Sequence, residues 1–305
     1  MDEALFHPAG LVSLFTQPEE DTLQKLTKIF ALVLLLTFIA VPGFAQDKDV
    51  EIAYVEWSCA TASSNVVKAV LNEEMGYDAD IVSVTAAAMW QATASGDVDG
   101  FVTAWLPVTH GHYYDKVKDE VENLGPLATG AKIGLVVPEY VDIESIADLD
   151  DHAAKFDGTI TGIDPGAGIM SKSEKALEAY NLDNMTLGEG SGATMTAMLS
   201  EAVENEDWIV VTGWSPHWKF GRWDLKYLED PKNVYGGSED ITTIVREDLK
   251  EDMPEVYAFL DRFSWDLSVM QGLMAKNQEN GKPYENAKEF IKNHPELVDK
   301  WLGRS

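Results

Sequence analysis

The chain has 305 residues, of which 45% are hydrophobic, so it is long enough to bury one large core or two medium ones. Its formal net charge of -29 repels phosphate backbones and anionic lipid headgroups, which argues against a nucleic acid partner. The single cysteine, Cys59, excludes an intramolecular disulfide and a zinc site built from cysteines.

The N-terminal segment has the pattern of a secretory signal peptide. A basic region precedes an apolar run at residues 29–41, which is too short to span a membrane comfortably. Small residues follow, and we predict cleavage after Ala45, so that residues 1–45 form an N-terminal extension and a signal peptide. No cysteine stands at this position to carry a lipid. We therefore expect a periplasmic protein, with a retained anchor as the alternative.

From residue 51 onward, short apolar segments typical of buried strands alternate with segments of helical spacing. The predicted strands are residues 52–55, 81–84, 101–104, 132–137, 159–163, 209–212 and 241–245. The predicted helices are residues 61–75, 86–94, 113–124, 146–156, 169–180 and 195–203, followed by 249–263, 267–278 and 284–302. This order predicts an α/β fold in which mainly parallel sheets carry helices on both faces.

Two blocks of alternation predict two lobes. We assign residues 46–137 and 246–305 to lobe one and residues 138–245 to lobe two. Strands 132–137 and 241–245 are the predicted crossings between the lobes.

Three of the nine tryptophans, Trp57, Trp105 and Trp214, stand at the carboxyl ends of predicted strands. Open parallel sheets bind ligands at those ends. Converging indole faces attract a desolvated cation, and a quaternary ammonium group suits them best because it cannot hydrogen-bond. Packing at a loop or an interface is the alternative for each residue. The remaining tryptophans, at positions 90, 208, 218, 223, 265 and 301, are predicted to pack in the core or between elements.

Residues 162–170 lead from a strand through a glycine-rich turn into a helix that begins near Gly168. Free backbone N–H groups at a helix N-terminus bind anions. The glycine spacing suits a small anion such as a carboxylate and does not match a dinucleotide fingerprint. A tight turn without a ligand is the alternative.

Histidines near two of these tryptophans are candidate donors to a carboxylate. His110 follows Trp105 by five residues and is placed on the turn into the next helix. His217 is a weaker candidate, and His112 is expected to be exposed. A surface position or the capping of a helix is the alternative for His110.

Cys59, with His110 as its base, is the enzymatic alternative. Nothing in the sequence supplies a third, orienting group, and no zincin, nucleophile-elbow or Walker pattern occurs. We therefore predict a protein that is not an enzyme and needs no cofactor and no metal.

Five segments resemble the glycine betaine-binding proteins of ABC importers, the OpuAC family. They are Tyr54-Val55-Glu56-Trp57, Ala104-Trp105-Leu106-Pro107, and residues 133–138, 162–170 and 211–218. The resemblance covers residues 50–302. It implies the two-lobed α/β clamshell of type II periplasmic binding proteins, in which Trp57 and Trp105 of lobe one and Trp214 of lobe two enclose a quaternary ammonium group.

The resemblance also implies the other half of the site. His110 and the backbone N–H groups of Gly168 and Ile169 would bind the carboxylate of a betaine zwitterion. The expected partners are that small ligand and the membrane permease of an ABC importer with its ATPase. The protein itself is expected to be a monomer.

Residues 58–61, Ser-Cys-Ala-Thr, depart from the acidic, polar stretch that many relatives carry after the first cage tryptophan. This changes the wall beside the cage and leaves the ligand open among glycine betaine, proline betaine, carnitine and dimethylsulfoniopropionate. A binder of choline or another quaternary ammonium, which needs no carboxylate site, and a periplasmic sensor subunit are the alternatives.

Overall fold

The structure is a computed structural model that describes residues 49–304. The predicted signal peptide and its cleavage after Ala45 lie outside this range. The strands are β1 (Asp49–Tyr54), β2 (Asp78–Ser83), β3 (Gly100–Leu106), β4 (Val121–Pro138), β5 (Thr159–Thr161), β6 (Thr186–Gly188), β7 (Val210–Ser215), β8 (Leu225–Tyr227) and β9 (Glu239–Arg246).

Helices connect these strands and complete the C-terminal part. They are α1 (Ser58–Val70), α2 (Ala86–Ser95), α3 (Gly111–Val117), α4 (Gly168–Tyr180), α5 (Gly192–Asn205), α6 (Lys219–Arg222), α7 (Leu249–Asp252), α8 (Pro254–Arg262), α9 (Leu267–Asn280), α10 (Pro283–Asn293) and α11 (Pro295–Leu302). A π-helical turn, Leu71–Met75, extends α1, and two 3-10 helices, Ile146–Asp148 and Asp150–Phe156, follow β4.

The strands are ordered β2-β1-β3-β9-β4-β7-β5-β6, and β8 pairs with β4. The long strand β4 joins two sheets. Its residues from Val121 to Ala131 pair with β9, and its residues from Lys132 to Pro138 pair with β7 and β8. The first sheet therefore contains β2, β1, β3, β9 and the start of β4, and the second contains the rest of β4 with β7, β8, β5 and β6.

The α/β class is as predicted, but the sheets are mixed. The pairs β1–β2, β1–β3, β5–β6 and β5–β7 are parallel, as expected for strand–helix alternation. The pairs that involve β4 or β9 are antiparallel, because β4 runs through both sheets and β9 returns beside it.

The predicted crossing strands, residues 132–137 and 241–245, lie within β4 and β9. β9 pairs within the first sheet along Glu239–Arg246, although most of it falls in the residues assigned to lobe two. The change of sheet in β4 falls between Ala131 and Lys132, before the predicted boundary at residue 137.

Several predicted helices are shortened or divided in the structure. Residues 121–124 begin β4 instead of ending a helix, because their pairing with β9 outweighs local helical spacing. The predicted helix 249–263 is divided at Pro254, and the predicted helix 284–302 is divided at Pro295. Proline has no N–H to donate inside a helix, so each starts a new helix at its first position.

The core is continuous across these elements. Every residue of β3 is buried, since helices cover both faces of the sheet at this strand. On α1 the predicted apolar face, including Val66, Val67 and Val70, is fully buried. No helix within residues 49–304 combines the length and apolar character of a membrane span.

Candidate ligand-binding site

One small cavity, of about 30 Å³, lies where loops of the first sheet meet loops of the second sheet. All of the residues predicted for the site line it: Trp57, Trp105, His110, Gly168, Ile169 and Trp214. The rest of the lining is Cys59, Thr109, Ile133, Ile163 and Ala167. The predicted cage and the predicted anion turn therefore face the same space.

The three cavity tryptophans stand at or just beyond the ends of strands. Trp57 follows β1 and precedes the first residue of α1, while Trp105 and Trp214 are next to last in β3 and β7. Each is at most 7% exposed. Trp214 pairs with Ile133 of β4, so these two lining side chains are direct neighbours across strands. The cavity is thus walled by large apolar faces held on rigid elements.

His110 is a neutral hydrogen-bond donor at this site. Its ring is 1% exposed, and its Nδ1 accepts the backbone N–H of Trp105 at 3.0 Å. The neutral ring therefore carries its proton on Nε2. Burial, assisted by the nearby His112, lowers the pKa of His110 to about 3, so the ring stays uncharged near neutral pH.

Aromatic contacts fix the orientation of the His110 ring. It stacks on the Trp57 ring with centroids 5.5 Å apart and an interplanar angle of 21°. Trp90 meets it edge-on at 6.3 Å. Because the ring is held on two sides as well as at Nδ1, its donor direction is preorganised.

The glycine-rich turn delivers the start of α4 to the cavity. Gly168 and Ile169 are the first residues of this 13-residue helix, and the first N–H groups of a helix have no acceptor within it. These groups lie at the positive end of the helix dipole. A Cβ on Gly168 would lie 2.2 Å from the carbonyl oxygen of Thr109, so only glycine allows this approach of the two loops.

Two hydrogen bonds join this turn to residues of the first sheet's side of the cavity, one in the segment after β1 and one in α3. The indole Nε1 of Trp57 donates to Asp164 at 3.0 Å, and the Tyr113 hydroxyl donates to the carbonyl oxygen of Gly166 at 2.8 Å. Sequence reasoning missed Asp164 and Tyr113. Asp164 lies within the glycine-rich segment, but nothing local indicates its partner 107 residues away.

A buried carboxylate supports the loop that carries His110. Glu239 is 1% exposed and accepts the backbone N–H groups of Val108 and Thr109, each at 2.7 Å. It also accepts the Thr109 hydroxyl. Glu239 was missed because it is 130 residues from Thr109 in sequence and carries no motif.

Cys59 lines the cavity as a buried residue. Burial raises the pKa of its thiol to about 12, so the thiol is protonated at neutral pH. A protonated thiol is a weak nucleophile. Cys59 therefore packs as a small apolar residue in the cavity wall.

The other histidines near the site lie outside the cavity lining. His112 is exposed, as predicted. His217 is buried beside Trp214, with ring centroids 4.7 Å apart and the rings nearly perpendicular. Its Nδ1 accepts the backbone N–H of Lys219 at 3.1 Å, and burial lowers the pKa of His217 well below its usual value.

The tryptophans predicted for the core are there: Trp90 is 1% exposed and Trp301 is fully buried. The remaining tryptophans, Trp208, Trp218, Trp223 and Trp265, pack on other aromatic rings. Within residues 49–304 no group of three or more metal-ligating side chains is assembled.

Comparison with known proteins gives the chain a family. Residues 48–293 match the sequence model of the OpuAC family, described as the substrate binding domain of ABC-type glycine betaine transport systems. The glycine betaine/carnitine transport binding protein GbuC of Listeria monocytogenes is 48% identical over 153 residues, which are 50% of this chain and 51% of that protein. In this match the chain spans about half the length of its curated relative.

Two solved structures share the fold over most of the chain. Lactococcal OpuAC, in a closed conformation with glycine betaine, is 46% identical with a TM-score of 0.80, and the match covers 84% of this chain and 100% of that one. An ABC-transporter choline binding protein in complex with choline is 26% identical with a TM-score of 0.79, covering 85% and 92%. The chain belongs to the family of substrate-binding domains of ABC-type glycine betaine transport systems.

Proposed function

We propose that this protein is the binding component of an ABC importer and that it captures glycine betaine or a related betaine zwitterion. The observation that carries the proposal is a single cavity in which three indoles and a set of uncharged N–H donors face the same space. The indoles suit a methylated cation, and the donors suit a carboxylate.

The cation half of the site is formed by Trp57, Trp105 and Trp214. Each indole face contributes roughly 0.5–2 kcal/mol to binding of a quaternary ammonium group. Burial of the methyl groups against these faces adds to this. Since all three rings are nearly inaccessible to water, the attraction acts at low dielectric.

The anion half is formed by His110 and the start of α4. His110 donates from Nε2, and Gly168 and Ile169 donate backbone N–H groups at the positive end of the helix dipole. None of these donors carries a titratable positive charge at neutral pH, since the pKa of His110 lies at about 3. A site without a full positive charge suits a zwitterion better than a free anion.

The second step of the proposed function is delivery of the ligand to the membrane permease. The ligand would hold residues of lobe one and lobe two together, so the closed form is the one that ligand binding stabilises. This closed form would dock, as a monomer, on the permease that works with its ATPase. Export through the predicted signal peptide, cut after Ala45, would place the mature chain in the periplasm. The family match begins at residue 48, just after the predicted cut.

A choline binder is the second candidate, favoured by the likeness to the choline complex. Choline has no carboxylate, so it would use the indoles but not His110. A sensor subunit with the same pocket differs only in its partner. A catalytic role for Cys59 is disfavoured, because burial raises the pKa of its thiol to about 12.

Calorimetric titration of the purified mature chain with glycine betaine, carnitine, choline and proline tests the proposal. We expect His110→Ala to weaken glycine betaine binding by about 30-fold and to change choline binding by less than about 2-fold. His112→Ala, which alters an exposed ring two residues away, is the matched control and should leave both unchanged. Tight choline binding without glycine betaine binding would overturn the proposal in favour of the second candidate.

A further inference from the structure

A buried lysine contacts one of the cavity tryptophans. Lys219, the first residue of α6, has no exposed surface. Its Nζ lies 4.6 Å from the centroid of the Trp214 ring and 5.6 Å from that of Phe220. Its hydrogen bond to the carbonyl oxygen of Thr212 is long, at 3.4 Å. An ammonium group in such surroundings has lost most of its hydration.

No acidic group compensates this lysine among the described residues. β7 presents Thr212, Gly213 and Trp214 to it, none of which is ionisable near neutral pH. The loop before α6 presents His217. This ring could add only a second positive charge near Lys219, and burial keeps it neutral. Burial alone lowers the pKa of Lys219 to about 7.

The Trp214 indole contacts both Lys219 and the cavity. It is one of the residues that line the cavity, whereas Lys219 is not, and the Lys219 Nζ lies over its ring. A ring that already holds one cation has less attraction left for another, and two cations on one indole also repel each other directly. The charge of Lys219 therefore opposes the charge that the cage is built to hold.

We propose that Lys219 is a positioning and tuning residue of the cage, whose protonated form weakens and whose neutral form strengthens the capture of a quaternary ammonium ligand by Trp214. This inference rests on the proposed function, since it concerns the affinity of the same cavity. It predicts that ligand affinity rises with pH as Lys219 loses its proton.

The coupling between proton binding at Lys219 and ligand binding determines the sign and the size of the pH dependence of affinity. Because a bound cation disfavours the charged lysine, ligand binding near neutral pH releases protons. The affinity is lowest below the pKa that Lys219 has in the complex and reaches its upper limit above the higher pKa that it has in the free protein. Two charges roughly 10 Å apart at an effective dielectric constant of about 20 correspond to about a tenfold change in affinity. The buried His110 and His217 stay neutral over this range, because burial lowers their pKa values.

The experiment is calorimetric titration of the mature chain with glycine betaine between about pH 5 and about pH 8.5, in two buffers of different ionisation enthalpy. For the unaltered protein we expect affinity to rise about tenfold over this range, with proton release on binding near pH 7. Lys219→Met, which keeps most of the length of the side chain without its charge, should bind at the higher affinity at every pH and release no protons.

Lys155→Met is the matched control, because Lys155 is exposed and its Nζ lies 3.9 Å over Trp208, a ring outside the cavity. It should retain the pH dependence of the unaltered protein. Equal pH profiles for the unaltered protein and Lys219→Met would overturn the inference. Proton release by the unaltered protein tests it even if the variant folds poorly. Absence of glycine betaine binding at every pH would instead sink the proposed function.

Discussion

A buried ionisable residue lies behind each of the two walls of the cavity, acidic behind one wall and basic behind the other. Behind the wall of Trp57, Trp105 and His110 lies Glu239, whose carboxylate accepts three hydrogen bonds from Val108 and Thr109. Behind Trp214 lies Lys219, with one long hydrogen bond and no counter-ion in the described chain.

The difference shows what compensation does to a buried charge. Three donors stabilise the carboxylate of Glu239 and thereby fix the loop that carries His110. The uncompensated ammonium of Lys219 responds to burial by a lowered pKa, about 7. The first wall is therefore preorganised by its polar contacts, and the second wall can respond to pH.

The largest expected effect comes from separating the two walls. Gly168→Ala places a Cβ 2.2 Å from the carbonyl oxygen of Thr109, so the loops cannot close as they do here. We expect the dissociation constant for glycine betaine to rise by about 100-fold or more, measured by calorimetry. Gly166→Ala is the control, because its Cβ would meet only the Tyr113 hydroxyl, at 4.0 Å. Similar affinities for the two variants would show that this close approach is not needed for binding.

Removing one indole from each wall compares the two as cation binders. Trp105→Ala and Trp214→Ala should each weaken binding of glycine betaine and of choline by roughly 30-fold to 100-fold, since both ligands carry the ammonium group. Fluorescence or calorimetric titration measures this. Trp208→Ala, outside the cavity, should bind normally. Unchanged affinity in both cavity variants would remove the cage from the proposed site.

The pH dependence of stability sharpens the contrast between the two buried charges. Between pH 7 and the ordinary lysine pKa of 10.5, the unfolded chain binds a proton at Lys219 that the folded chain does not. The free energy of unfolding should therefore rise with pH, relative to that of Lys219→Met, by about 1.4 kcal/mol per pH unit within this window. The destabilisation by Lys219 is complete below pH 7 and fades as the pH rises.

Urea unfolding of both proteins at about pH 7.5 and about pH 9 measures the effect, and the difference between them should change by roughly 2 kcal/mol. Lys155→Met should run parallel to the unaltered protein, because Lys155 is exposed. Parallel behaviour of Lys219→Met as well would contradict a buried lysine with a lowered pKa.

The smallest expected effect concerns the hydrogen bond that joins the walls. Asp164→Ala removes the acceptor of the Trp57 indole N–H and should weaken glycine betaine binding by about 5-fold. Asp164→Asn retains an acceptor oxygen and should stay within about 2-fold of the unaltered protein. A double-mutant cycle with Trp57→Phe isolates the pair, and additive losses would mean that the bond does not contribute to binding.

Local features of the fold and site were readable from the sequence. Buried strands appear as short apolar runs, and the residues at their ends follow directly, as for Trp105 and Trp214. The glycine-rich turn before Gly168 is likewise a contiguous signal. The first part of β4 was not readable, because residues 121–124 have helical spacing and become a strand only by pairing with β9.

Partners far apart in sequence were also beyond prediction. Glu239 reaches Thr109 across 130 residues, and Asp164 reaches Trp57 across 107. Neither acidic residue stands out in a chain with 52 acidic residues.

By itself the sequence determined the α/β class, the tryptophans at strand ends and the glycine-rich turn before a helix, because these depend on neighbours a few residues apart. The tertiary structure decided which residues share one cavity, which carboxylate supports the His110 loop and which lysine is buried against Trp214. Burial and long-range pairing arise only when the sheets assemble, and they set the protonation states of His110 and Lys219.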